Sequence, residues 1–146
     1  MVEFNVRFGD PETQPLMVRM NDDLVPLLKA AAEGRLDPAT KMTWGEAAIC
    51  VVMASEGCPR DYPKGRTISG LAEAEVDDHV VVFHAGTRPG EDGSGYETSG
   101  GRVLGVTARG ETVKAARDRA YAAVERIEFA GSQFRTDIAA RALARD

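Results

Sequence analysis

From Val2 to Phe8 the apolar residues Val2, Phe4, Val6 and Phe8 alternate with Glu3, Asn5 and Arg7. A period of two predicts a strand with one apolar and one polar face. Asp10-Pro11 then reads as a helix start, with Asp as N-cap and Pro at the first helical position, and Pro15 keeps that helix short. Asn21-Asp22-Asp23 caps a second helix, in which Leu24, Leu27, Leu28 and Ala31 recur at i, i+3, i+4 and i+7 to give one apolar face. Pro26 is tolerated in its first turns, and Gly34 ends it. Leu36 to Met42, with Asp37-Pro38, reads as a linker. It places a boundary between a first unit, residues 1–36, and a second, residues 42–146.

The second unit is dominated by short apolar runs. Ala47 to Ser55, AAICVVMAS, is β-rich and nearly continuous, which fits a strand buried on both faces. Turns follow at Glu56–Pro59 and Pro63–Gly65, and a short strand is expected over Thr67 to Leu71. Val80 to Phe83 is a core strand closed by His84–Thr87. Pro89 to Gly95 reads as a hairpin tip, Tyr96 to Ser99 as its return, and Arg102 to Ala108 as the next strand. Gly105 inside that strand suggests close backbone approach or a bulge. Glu111 to Ile127 is a long amphipathic helix with Ala116, Ala120, Ala123, Val124 and Ile127 as its stripe. A last short helix is expected from Arg135–Ile138, with Thr136 or Asp137 as cap.

Composition narrows the class. The chain has 146 residues, 43% hydrophobic and 28% charged, with a net charge of −5. These are values of a soluble globular protein with a sizeable core. An acidic chain without a basic stripe is a poor partner for nucleic acid, and no apolar run is long enough for a membrane span. Cys50 and Cys58 form no disulfide framework or CxxC pair, so two free thiols and a cytoplasmic setting are expected.

The candidate chemistry lies on the opening polar face. Glu3 and Asn5 offer two hard oxygen donors, a set that suits Mg²⁺ when phosphate oxygens and water complete its shell. Arg7, further along, has the forked donors to clamp a phosphate or acyl phosphate. A solvated edge strand explains the same triplet. Asp10 is open to two readings, N-cap or substrate contact. Ser99-Gly100-Gly101-Arg102 is either a tight turn or a nest of N–H groups facing an anion, with Arg102 as the phosphate or interdomain contact. Arg135 and Asp137 suggest a local ion pair. His84 reads as a structural histidine and His79 as a surface turn, and no nucleophile-base arrangement is apparent.

The run Arg7-Phe8-Gly9-Asp10-Pro11-Glu12-Thr13-Gln14 resembles the signature of the phosphoribosylamine–glycine ligase (glycinamide ribonucleotide synthetase) family. The segments AICVVMASEG, YPKGRTISGL, VVVFHAGT, TSGGRVLGVTARG, AYAAVERIEF and FRTDIAARAL resemble its C-terminal part, in order. The resemblance implies an α+β fold: the end of an ATP-grasp sheet, then a small β-rich single-hybrid-like domain with packed helices. It implies an ATP-dependent ligase of purine biosynthesis that joins glycine to phosphoribosylamine, releasing ADP and phosphate. Glu3 and Asn5 would hold Mg²⁺ or Mn²⁺, Arg7 would contact the acyl phosphate, and Asp10 and Arg102 the substrate. The family's adenine pocket, phosphate loop and phosphate lysine would lie N-terminal to this strand. The chain thus reads as the C-terminal third, a fragment or a split subunit, inactive alone and dependent on the ATP-binding lobes as partner. A non-catalytic interaction module and a truncated product are the rival readings.

Overall fold

The structure is a computed structural model that describes residues 6–91 and 93–144. Glu3 and Asn5, and the beginning of the expected first strand, lie outside the described residues. The strand expectation fails over residues 6–8, which pair with no neighbour in a ladder; Val6 is 95% and Phe8 56% exposed. The first helix, α1, runs Thr13–Arg19 rather than from Pro11, and its N-cap position is Glu12 without a side-chain cap. Asp10 does not cap it, because its carboxylate is taken by Gln14 and Arg102.

The second helix, α2 (Leu24–Ala32), has its expected cap: Asp23 accepts from the Val25 N–H. Gly34, at φ +66°, closes it. The Arg35 N–H reaches the Ala30 carbonyl at 2.8 Å and the Gly34 N–H that of Ala31 at 3.1 Å. This is a Schellman ending, which needs a left-handed residue at that place. The apolar face is present but not covered: no α2 residue is buried, and Val25 and Leu28 are 70% and 53% exposed. The excursion is pinched at its base. Met20 bridges Trp44, the Gly45 N–H bonds the Arg19 carbonyl at 2.7 Å, and the Arg19 Nε bonds the Glu46 carbonyl at 2.8 Å.

From there the elements are β1 (Ala47–Ser55), β2 (Thr67–Ile68), α3 (Leu71–Ala74), β3 (Val80–His84), β4 (Thr87–Pro89), β5 (Tyr96–Thr98), β6 (Arg102–Gly110), α4 (Val113–Val124), β7 (Ser132–Gln133) and α5 (Ala140–Leu143). One antiparallel sheet has the order β3-β6-β1-β7, and a smaller one β2-β5-β4. The fold is therefore mixed α and β with antiparallel sheets. The hairpin expected at Pro89–Gly95 joins β4 to β5, with Arg88 opposite Glu97.

Alternation along the ladders sorts side chains to two faces. Val51 and Met53 face the same side as Val106, Val80 and Val82, and join Ala120, Ala123, Val124 and Ile127 in one core. Thr112 caps α4 by accepting the Ala115 N–H, and the helix lies across β6 and β1. Gly110 lets it approach: a Cβ there would stand 2.5 Å from the Ala116 nitrogen. The opposite face, with Cys50, Gly105 and Thr107, is covered by α1. The helix that precedes the expected linker thus packs on the same sheet as the second unit.

Two expectations need correction. Thr67–Leu71 is a strand only to Ile68; Ser69 bridges Glu128, and Gly70, at φ +78°, turns the chain into α3. A Cβ on Gly70 would fall 1.7 Å from the Arg126 carbonyl oxygen, so this turn and the end of α4 exclude a side chain. The last helix starts at Ala140, because Asp137 is held by Arg135 and Ala139 is left-handed at φ +63°. Of the two readings of Gly105, close approach holds; the register irregularity lies further along, where Met53 pairs Leu104 and Ala54 pairs Arg102.

Candidate functional site

The RFGDPETQ segment is anchored to the sheet through one side chain of β6. Arg102 places Nη2 3.0 Å from the Asp10 Oδ2 and donates from Nη1 to the Asp10 carbonyl at 3.3 Å. The same aspartate accepts from the Gln14 Nε2 at 3.0 Å through its other oxygen. Thr13 bonds the Gly9 carbonyl with both its N–H and its hydroxyl. Gln14 lies above Gly105; a Cβ on that glycine would sit 3.3 Å from the Cys50 Sγ and 3.7 Å from the Gln14 Nε2. The Gln14 Oε1 beside it is buried without a hydrogen-bond partner. Burial pushes the Cys50 thiol up; the Asp10 charge adds to this, and a hydrogen bond with Thr107 opposes it.

Two of the residues singled out from sequence, Asp10 and Arg102, therefore meet each other. Arg7 is exposed, and its Nη1 bonds only the neighbouring Phe8 carbonyl among the contacts described. Glu3 and Asn5 precede it outside the described residues. Among the described residues no cluster of three or more His, Cys, Asp or Glu is arranged to hold a metal ion. A carboxylate and an amide oxygen as donors suit a hard cation that takes its remaining oxygens from phosphate and water.

The Ser99–Arg102 run behaves as a turn. The Ser99 and Gly100 N–H groups both point at the Gly86 carbonyl, at 2.7 and 3.1 Å, so they do not face an anion. Ser55 closes the other side, its N–H on the Gly101 carbonyl and its hydroxyl on that of Gly100. The turn's work is to deliver Arg102 at the start of β6, pointing to Asp10. His84 touches the Tyr96 ring, at 4.3 Å between centroids, and its Nδ1 meets the Thr87 hydroxyl at 2.9 Å. His79 sits in the Asp77 turn, as expected. The Asp77 carboxyl is held below its ordinary value, first by the His79 N–H and then by His79 and Arg119.

Residues 48–141 match the family described as phosphoribosylglycinamide synthetase, C domain. The chain belongs to that family. The C domain so defined runs from the second residue of β1 into α5. Relatives extend the likeness through the opening segment. The chain is 54% identical over 99% of its length to a protein of Phenylobacterium zucineum, and 52% identical over all of it to one of Escherichia coli O157:H7. Both are called phosphoribosylamine–glycine ligase, and the chain covers 34% of each. A crystal structure titled as the same ligase from Thermotoga maritima superposes with a TM-score of 0.76 at 32% identity. It matches 94% of this chain and 32% of that one. The chain thus spans about a third of the length of the curated relatives it matches.

What the sequence reading missed is the Arg102–Asp10 pair. The residues are 92 positions apart, and no spacing rule links them. The one available signal was that each already stood out, Asp10 in the RFGDPETQ run and Arg102 after Gly100-Gly101.

Proposed function

We propose that this chain is the C-terminal part of an ATP-dependent ligase of purine biosynthesis that joins glycine to phosphoribosylamine. The observation that carries this reading is that ligases of that name match both the C domain and the segment before it, over 99 to 100% of the chain. On this reading the opening segment ends an ATP-grasp sheet and the rest is a single-hybrid-like domain. The partners are the ATP-binding lobes, in the same gene product or another, and the setting is cytoplasmic. The exposed apolar side of α2 supports a chain that has a further protein surface to meet.

The chemistry is mostly positioning. ATP phosphorylates the glycine carboxylate, and the amine of phosphoribosylamine then displaces phosphate from the acyl carbon. Glu3 and Asn5 would hold Mg²⁺ or Mn²⁺, which neutralises phosphate charge when bound. Arg7 is free of a salt bridge among the described contacts and would grip the phosphate or acyl phosphate with its fork. Asp10 and Arg102 enter on the substrate side as a pair.

The test is co-expression with the ATP-binding lobes of a relative, followed by an assay of ADP release that needs both glycine and phosphoribosylamine. The reading expects turnover from the pair, loss of it in Glu3→Ala, and none from this chain alone. Turnover that survives Glu3→Ala, or a pair that never turns over, overturns it.

A further inference from the structure

We infer that Arg102 is a positioning residue: it acts through Asp10 to fix the segment that carries Arg7 and follows Glu3 and Asn5. The inference rests on the ligase reading, which it deepens. Three observations carry it.

The first is that one guanidinium takes two different atoms of one residue, the Asp10 Oδ2 and the Asp10 carbonyl oxygen. A planar fork bound to side chain and main chain together sets the orientation of that residue, which a single ammonium cannot do. The second is that the remaining Asp10 oxygen is held by Gln14 of α1, so the aspartate is gripped from the sheet and from the helix at once. The third is the exposure of the pair. Both side chains are about half open to solvent, 55% for Arg102 and 43% for Asp10. Such pairs add little to stability, so its effect is on geometry. Among the described residues upstream of this grip, 6–8 are exposed and join no sheet. The placement of Arg7 is thereby handed to a residue of β6.

Groups that orient metal ligands without touching the metal commonly change metal affinity or activity by about 10- to 100-fold when lost. Arg102→Lys keeps the charge and removes the fork, so it separates geometry from electrostatics. Arg135→Lys, at the separate Arg135–Asp137 pair, is the control.

Two measurements decide. Backbone order parameters of Gly9 and Asp10 in the ¹⁵N-labelled chain should be near about 0.85 in the native protein and fall below about 0.6 in Arg102→Lys. The thermal midpoint should stay close to native in both variants. In the ligase reassembled with its ATP-binding lobes, Arg102→Lys should raise the KM for metal-ATP by about tenfold or more with a smaller change in kcat. The control should alter neither. Unchanged order parameters overturn the inference, as does a loss of order with KM unaltered. Native lobes and chain that give no turnover at all overturn the ligase reading instead, while the order parameters still decide whether Arg102 holds the segment.

Discussion

Gly86 and Gly100 stand back to back: a Cβ on Gly86 would fall 2.6 Å from the Gly100 Cα and 2.4 Å from the Arg102 carbonyl oxygen. These neighbours are main chain and cannot swing aside. Gly86→Ala should therefore destabilise the protein by about 1–3 kcal/mol, the range for forced backbone shifts. It should also disturb the delivery of Arg102. Chemical denaturation measures the first effect, and a native-like midpoint would contradict it.

Tyr121 fastens the C-terminal segment to α4. Its hydroxyl donates to the Arg135 carbonyl at 2.6 Å and accepts from the Ile138 N–H at 3.2 Å. Arg117 lies over the ring and bonds the Thr136 and Ile138 carbonyls. Tyr121→Phe keeps the ring and deletes both hydroxyl bonds, for a loss of about 1–2 kcal/mol. The Ile138 amide should exchange with solvent deuterium sooner than in the native chain, while amides of β6 keep their protection.

The two thiols should differ in reactivity. Cys50 is buried on the α1 face and its thiol is pushed up by that burial, whereas Cys58 is partly exposed in the turn after β1. The thiolate is the reacting form. An alkylating reagent in excess should modify Cys58 first, and peptide mapping over time reads the order. Equal rates would mean that α1 leaves the sheet readily.

Asp77 should mark the acid limb of stability. Its depressed pKa means that its contribution is fully present above its ordinary value of 3.8 and is lost as pH falls through the lower folded value. Asp77→Ala should melt below the native protein at neutral pH, and the gap should close as the acid is titrated. Thermal melts down through the carboxylate range check this; a gap that widens toward acid would refute it.

Much of the fold could be read from sequence because its signals are local. The apolar run of β1, the Asp23 cap, Gly34 and the alanine stripe of α4 each act within a few residues. What was not legible depends on distant partners. The two-residue strand β7 exists only because β1 offers Ala54 and Ser55 to it. Asp10 has a sound local reading as a cap, and Arg102, arriving from another element, overrides it. The alternation of Val6 and Phe8 promises a strand, but a strand needs a neighbour, and residues 6–8 have none in the ladder. The apolar face of α2 was legible as a face, yet periodicity cannot say what it meets.

The pairing of β1 with β6 has a consequence for synthesis. β1 ends at Ser55 and its central partner begins only at Arg102, so the run AAICVVMAS leaves the ribosome well before anything can pair with it. At about 5–20 residues per second, that interval of roughly fifty residues lasts about 3–10 s. Throughout it the most apolar stretch of the chain is an unpaired strand in a crowded cell. Production of this protein should accordingly respond to chaperone supply and to slow codons between positions 56 and 101, a stretch in which every pause prolongs the exposure.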